Sequence, residues 1–87
     1  MSKLTIKKYQ EYLENVYKNR NNDQGLFIKL VEEIGEVAEQ ISVRDGRKDG
    51  DTKTVLEELG KELADVIHYT IAIAGVNGID LEKKATK

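Results

Sequence analysis

Apolar residues recur along this chain at intervals of three and four, and no stretch alternates as a strand would. That rhythm predicts four helical segments. The first runs from about Thr5 to Asn19, with Ile6, Tyr9, Leu13, Val16 and Tyr17 on its apolar face. Asn19-Arg20-Asn21-Asn22-Asp23 is a polar break, and Asp23 is placed to cap the next helix. The second helix runs from about Gln24 to Val43 on a stripe of Leu26, Phe27, Leu30, Val31, Ile34, Val37, Ala38 and Ile41. Residues 44 to 53 read as a loop by composition. Thr54-Val55-Leu56-Glu57 has the form of a capping box. It opens a third helix with a stripe of Val55, Leu56, Leu59, Leu63, Val66, Ile67, Thr70, Ile73 and Ala74. Gly75 and Gly78 end it, and Asp80 caps a short last helix through about Thr86. The expectation is an all-α fold: residues 1–87 form one small helical bundle built on an antiparallel hairpin and completed by oligomerisation.

Four carboxylates stand out against this pattern. Glu33 and Glu36 are three residues apart on the second helix, and Glu62 and Asp65 three apart on the third, so each pair shares a face. With about 100° per residue, Glu33 and Glu62 both fall roughly 20° outside the start of their stripes, and Glu36 and Asp65 roughly 80° outside. A loop of about ten residues most simply joins antiparallel neighbours, and antiparallel pairing keeps equivalent flanks on one side of the seam. Both pairs also lie roughly 12–14 Å from the turn at about 1.5 Å per residue. The hairpin therefore brings four acids to one level. Two unpaired charges about 4 Å apart cost roughly 4 kcal/mol at an effective dielectric of about 20, a penalty that a cation removes. All-oxygen ligation favours Mg²⁺, with Mn²⁺ as the second choice, and magnesium characteristically shares its shell with phosphates. The plainer alternative is a solvated acidic face, since 34% of the chain is charged and Lys29, Lys53 and Lys61 stand nearby.

Composition narrows the classes. A chain of 87 residues buries only about 60% of its unfolded surface, and this one has one Phe and no Trp to fill a core. A second copy would help cover its stripes. The absence of Pro suits long helices; the absence of Cys excludes disulfides and thiolate chemistry and fits a cytoplasmic protein. A formal net charge of −2 without a basic block argues against a duplex nucleic-acid partner. No apolar run approaches a membrane span, and Met-Ser-Lys-Leu-Thr lacks the core of a signal peptide.

Leu30-Val31-Glu32-Glu33-Ile34-Gly35-Glu36-Val37 followed by Glu58-Leu59-Gly60-Lys61-Glu62-Leu63-Ala64-Asp65-Val66-Ile67-His68-Tyr69 resembles the MazG-type branch of the all-α nucleotide pyrophosphohydrolases over roughly residues 24 to 84. The resemblance implies magnesium held by Glu33, Glu36, Glu62 and Asp65. It implies hydrolysis of a nucleoside triphosphate, often a deoxy one, to monophosphate and pyrophosphate. It also implies homodimers or homotetramers with substrate pockets near subunit contacts. Tyr69 matches a family position that touches the nucleotide. The final helix is short, ending at Lys87 where relatives carry more basic residues, and His68 stands where many have Asn. His68 with Tyr69 is also similar to the phosphoribosyl-ATP pyrophosphatases, whereas Gly35 fits the MazG type.

Other residues carry two readings each. Glu32 is a candidate general base or a solvated acid. Lys29 is a candidate phosphate contact or an exposed i,i+4 partner of Glu33. Glu58 lies one turn before Glu62, as a support to the acids or as an ion-pair partner of Lys61. His68 falls well off the core stripe and reads as a surface or pocket-rim histidine sooner than a fifth ligand. Tyr9 and Tyr17 read as core, Tyr12 as a modest pocket candidate. Gly35 and Gly60 permit a close approach beside the acids or are tolerated drift; each costs about 1 kcal/mol against Ala. The 44–53 loop carries Arg44, Arg47, Lys48 and Lys53 and reads as mobile and solvated sooner than as a segment that closes over a triphosphate. It is no EF-hand, since Arg47 and Leu56 occupy positions that need acids. The rival from another class is a non-catalytic helical interaction module.

Overall fold

The structure is a computed structural model that describes residues 3–17 and 23–86. It contains α1 (Ile6–Tyr17), α2 (Asp23–Arg44), α3 (Val55–Val76) and α4 (Leu81–Ala85), with no strand among the described residues. Residues 19–22 of the polar break, the Asp23 side chain expected as a cap, and the last two residues of the first predicted helix lie outside the described residues. α2 and α3 pair along their length, and α1 packs on α3. Each of the two long helices has 22 residues, and at about 1.5 Å per residue they span roughly 33 Å.

The ends of the helices follow local chemistry. At α1, Thr5 Oγ1 accepts from the Lys8 backbone N–H at 3.1 Å, a cap that satisfies one of the free donors of the first turn. The capping box at Thr54 does not form. Thr54 has φ −110° and ψ 1° and makes no side-chain cap hydrogen bond. That ψ takes it out of the extended geometry that aims a hydroxyl at the third helical N–H. At the other end, Gly78 adopts φ +67°. Its N–H donates to Gly75 O at 3.1 Å and that of Ile79 to Ala74 O at 2.9 Å, a Schellman stop. Gly75 is not a terminator. It sits inside α3 where α1 crosses, and a Cβ there would meet Glu14 Cγ at 3.0 Å. Asp80 does cap α4, accepting from Lys83 N at 3.1 Å.

The core sits at the end of the hairpin away from its loop. Leu13, Leu26, Ile71 and Ala72 are buried together, and Tyr9, Tyr17, Tyr69 and Leu81 pack around them. Gln10, 9% exposed, ties α4 to α1: its Nε2 donates to Ile79 O at 2.6 Å and its Oε1 accepts from Leu81 N at 3.3 Å.

The seam between α2 and α3 lies on a different part of the stripes from the one expected. Leu26, Val43 and Val55 are buried, and Leu30, Val37, Leu59 and Val66 half-buried, together with Glu33, Glu62 and Asp65. Phe27, Val31, Ile34, Leu56, Leu63 and Ile67 are exposed, Leu56 by 68%. The buried face is turned by roughly 60° from the stripe centre toward the acids. One partner helix covers only part of a broad stripe, and here it covers the acidic flank. The opposite flank is left as an apolar strip. It runs onto a groove of about 330 Å³ between Leu4, Ile6 and Tyr9 of the first segment and Ile67 and Ile71 of α3.

Candidate metal centre

The hairpin converts a spacing of three into a cluster. Glu33 of α2 and Glu62 and Asp65 of α3 each bring one carboxylate oxygen within 4.8 Å of the others. Glu62 is the deepest, at 7% exposure; Glu33 and Asp65 are half-buried. Glu33 Oε2 and Glu62 Oε2 are buried and meet no hydrogen-bond donor among the described residues. Carboxylates are acceptors only, so one acid bonds another solely through a shared proton. That sharing, with Glu36 first and Glu33 next, pushes the Glu62 carboxyl up to about 8, and burial and the charges of both neighbours add to the effect. Glu36 itself is exposed and stands outside the trio, reaching it through Glu62. Two orphaned buried oxygens in an all-carboxylate set match the needs of a hard divalent cation.

The family model of the MazG nucleotide pyrophosphohydrolase domain matches residues 21–87. The chain belongs to the MazG family. No curated protein and no solved structure matches it. Membership supports nucleotide pyrophosphohydrolase activity in general, in a family that is metal-dependent in general. No helix among the described residues of this MazG domain is long and apolar enough to cross a membrane.

Around the trio, several residues occupy places other than those expected. Lys29 pairs with Glu32 at 3.5 Å, not with Glu33, and both side chains are more than half exposed. Glu32 is thus a rim acid held by a lysine. His68 is neither at the surface nor free to ligate. Its Nδ1 lies 3.2 Å from Tyr9 Oη and its Nε2 3.0 Å from Tyr17 Oη. Both ring nitrogens are engaged, so no lone pair is left for a metal ion. The Tyr69 ring meets His68 edge-on at 4.9 Å between centroids. The one signal for this link was the spacing of Tyr9 and Tyr17, about two turns apart on one face of α1. Tyr12 is exposed by 65%, and nothing lies within 4 Å of a Cβ built at Gly35 or Gly60, so neither glycine serves a close helix approach.

Proposed function

We propose that this MazG domain is a magnesium-dependent hydrolase that converts a nucleoside triphosphate, deoxy in its sugar, to monophosphate and pyrophosphate. The observation that carries this reading is the carboxylate trio with its two orphaned buried oxygens. Glu33, Glu62 and Asp65 hold the ion, Mg²⁺ first and Mn²⁺ as a substitute, and Glu36, beside Glu62, is the fourth acid of the set. Bound magnesium polarises phosphate oxygens and offsets the charge that develops on them. In the reaction a water oxygen bonds to the α-phosphorus while the α–β bridging bond breaks, and the pyrophosphate carries that electron pair away. Lys29 and Tyr69, one turn from Glu33 and Asp65 respectively, take the substrate side of the site. Glu32, exposed and held by Lys29, has the geometry of a solvated acid.

The exposed flank of Phe27, Val31, Ile34, Leu56, Leu63 and Ile67 gives the assembly its reason. Each such side chain, already about half covered, gains roughly half of the about 1.5–3 kcal/mol of full burial, and a second copy of the chain supplies the cover. We therefore read the working form as a homodimer or homotetramer, acting on the cytoplasmic nucleotide pool. A panel of nucleoside triphosphates with magnesium, scored separately for pyrophosphate and orthophosphate, tests the reaction. Pyrophosphate as the primary product is expected. Orthophosphate alone would sink the reading, and no turnover and no metal binding would leave a helical interaction module.

A further inference from the structure

A second cavity, of about 400 Å³, lies at the closed end of the hairpin, between the last turn of α2, the 45–54 loop and the first turn of α3. Val43 is its buried floor, and Gly50 is seated on it: a Cβ at Gly50 would come within 2.9 Å of both Val43 methyls. A salt bridge from Lys48 to Glu39 of α2 fastens the loop a second time. The loop is thus fastened to α2 at two points while its residues stay exposed to solvent. The cavity adjoins the metal centre along the seam. Glu36 and Glu62 meet across that seam, and one turn toward the loop the same register brings Gln40 and Glu58 together, both of which line the cavity. Two turns the other way it brings Lys29 opposite Tyr69.

Charge sorts these two ends. The cavity walls include Glu39, Asp49, Asp51 and Glu58 against the cation of Lys48, which Glu39 already holds. Such walls repel the β- and γ-phosphates of a nucleotide whose α-phosphate lies at the trio. They suit a neutral ring that offers N–H groups. The other end, where one lysine faces one acid beside a tyrosine, carries less negative charge and suits the phosphates. We propose that the loop-end cavity is the nucleobase pocket and selects bases with an exocyclic amine (cytosine, adenine or guanine) over thymine and uracil. This rests on the pyrophosphohydrolase reading. Carboxylates accept from an amine, whereas thymine and uracil flank their one N–H with two carbonyl oxygens that face the same acceptors lone pair to lone pair. A site built to accept from an exocyclic amine discriminates against a base that lacks one.

The test compares kcat/KM across the five deoxynucleoside triphosphates for wild type and for Glu58→Lys, which replaces an acceptor with a donor. Wild type should prefer the amine-bearing substrates by about tenfold or more. Glu58→Lys should lower that ratio by a similar factor through KM, and because the ratio is taken within one variant, its effect on phosphate charge cancels. Gly50→Val, which lifts the loop from Val43, should flatten the ratio with the helical circular dichroism kept. Equal losses on every substrate, or a wild-type preference for thymine or uracil, would overturn the pocket. Calorimetric binding of α,β-imido triphosphates covers the case without turnover: binding without base preference refutes the pocket alone, and no binding at all refutes the hydrolase reading with it.

Discussion

Magnesium binding to this protein should release a proton, and the amount follows from Glu62. Its carboxyl is raised from 4.5 to about 8 by the protons it shares with Glu36 and Glu33 and by burial. At about pH 7 such a group is roughly nine-tenths protonated, and a metal ligand must be ionised. Binding should therefore displace about 0.9 proton per ion at neutral pH and almost none above about pH 9. Apparent affinity should fall about tenfold for each pH unit below about 8. The same shift sets the pH dependence of the metal-free fold. A raised folded-state value contributes stability that is fully present below 4.5 and is lost as pH rises through about 8. Glu62→Gln keeps a neutral polar group there, so its stability should be flat across that window and it should not bind the ion. Titration calorimetry in buffers of different ionisation enthalpy measures the proton count. Heats that do not depend on the buffer at neutral pH would refute the reasoning, as would parallel stability profiles for wild type and Glu62→Gln.

The remaining predictions use the same surfaces. Light scattering should give at least twice the 9.8 kDa of one chain, and the pair of changes Leu56→Glu and Ile67→Glu should shift the protein to monomer; a wild-type monomer at micromolar concentration would contradict the apolar flank as an interface. Tyr69→Ala should raise KM for all bases alike with kcat nearly kept, the pattern of lost ground-state binding, and a fall in kcat alone would place Tyr69 at the reacting atoms.

The long helices and their pairing were legible because a period of 3.6 is written in aliphatic residues over about six turns, and the acid pairs were legible because three residues on a helix fix a shared face. The rotation of the seam was not. Periodicity gives the width of a stripe but not which part a partner covers, so Phe27 and Ile34 read the same as Leu26 although one group faces outward and the other does not. Thr54 carried the right residue for a cap and lacked the backbone angle, which sequence does not specify. Gly75 read as a stop because a glycine near a helix end usually is one; its cause is instead the crossing of α1, a contact with a residue far away along the chain. His68 fell off the α3 stripe and so looked exposed, since the tyrosines that hold it come from another helix.

The most direct test of the central claim is to locate the ion. Crystals grown with Mn²⁺ should show one strong anomalous peak among the carboxylates of Glu33, Glu62 and Asp65, at oxygen-ligand distances of about 2.0–2.4 Å, and Asp65→Asn crystals should lose it. Manganese bound elsewhere, or a trio that stays closed on its shared proton with the metal in excess, would contradict it.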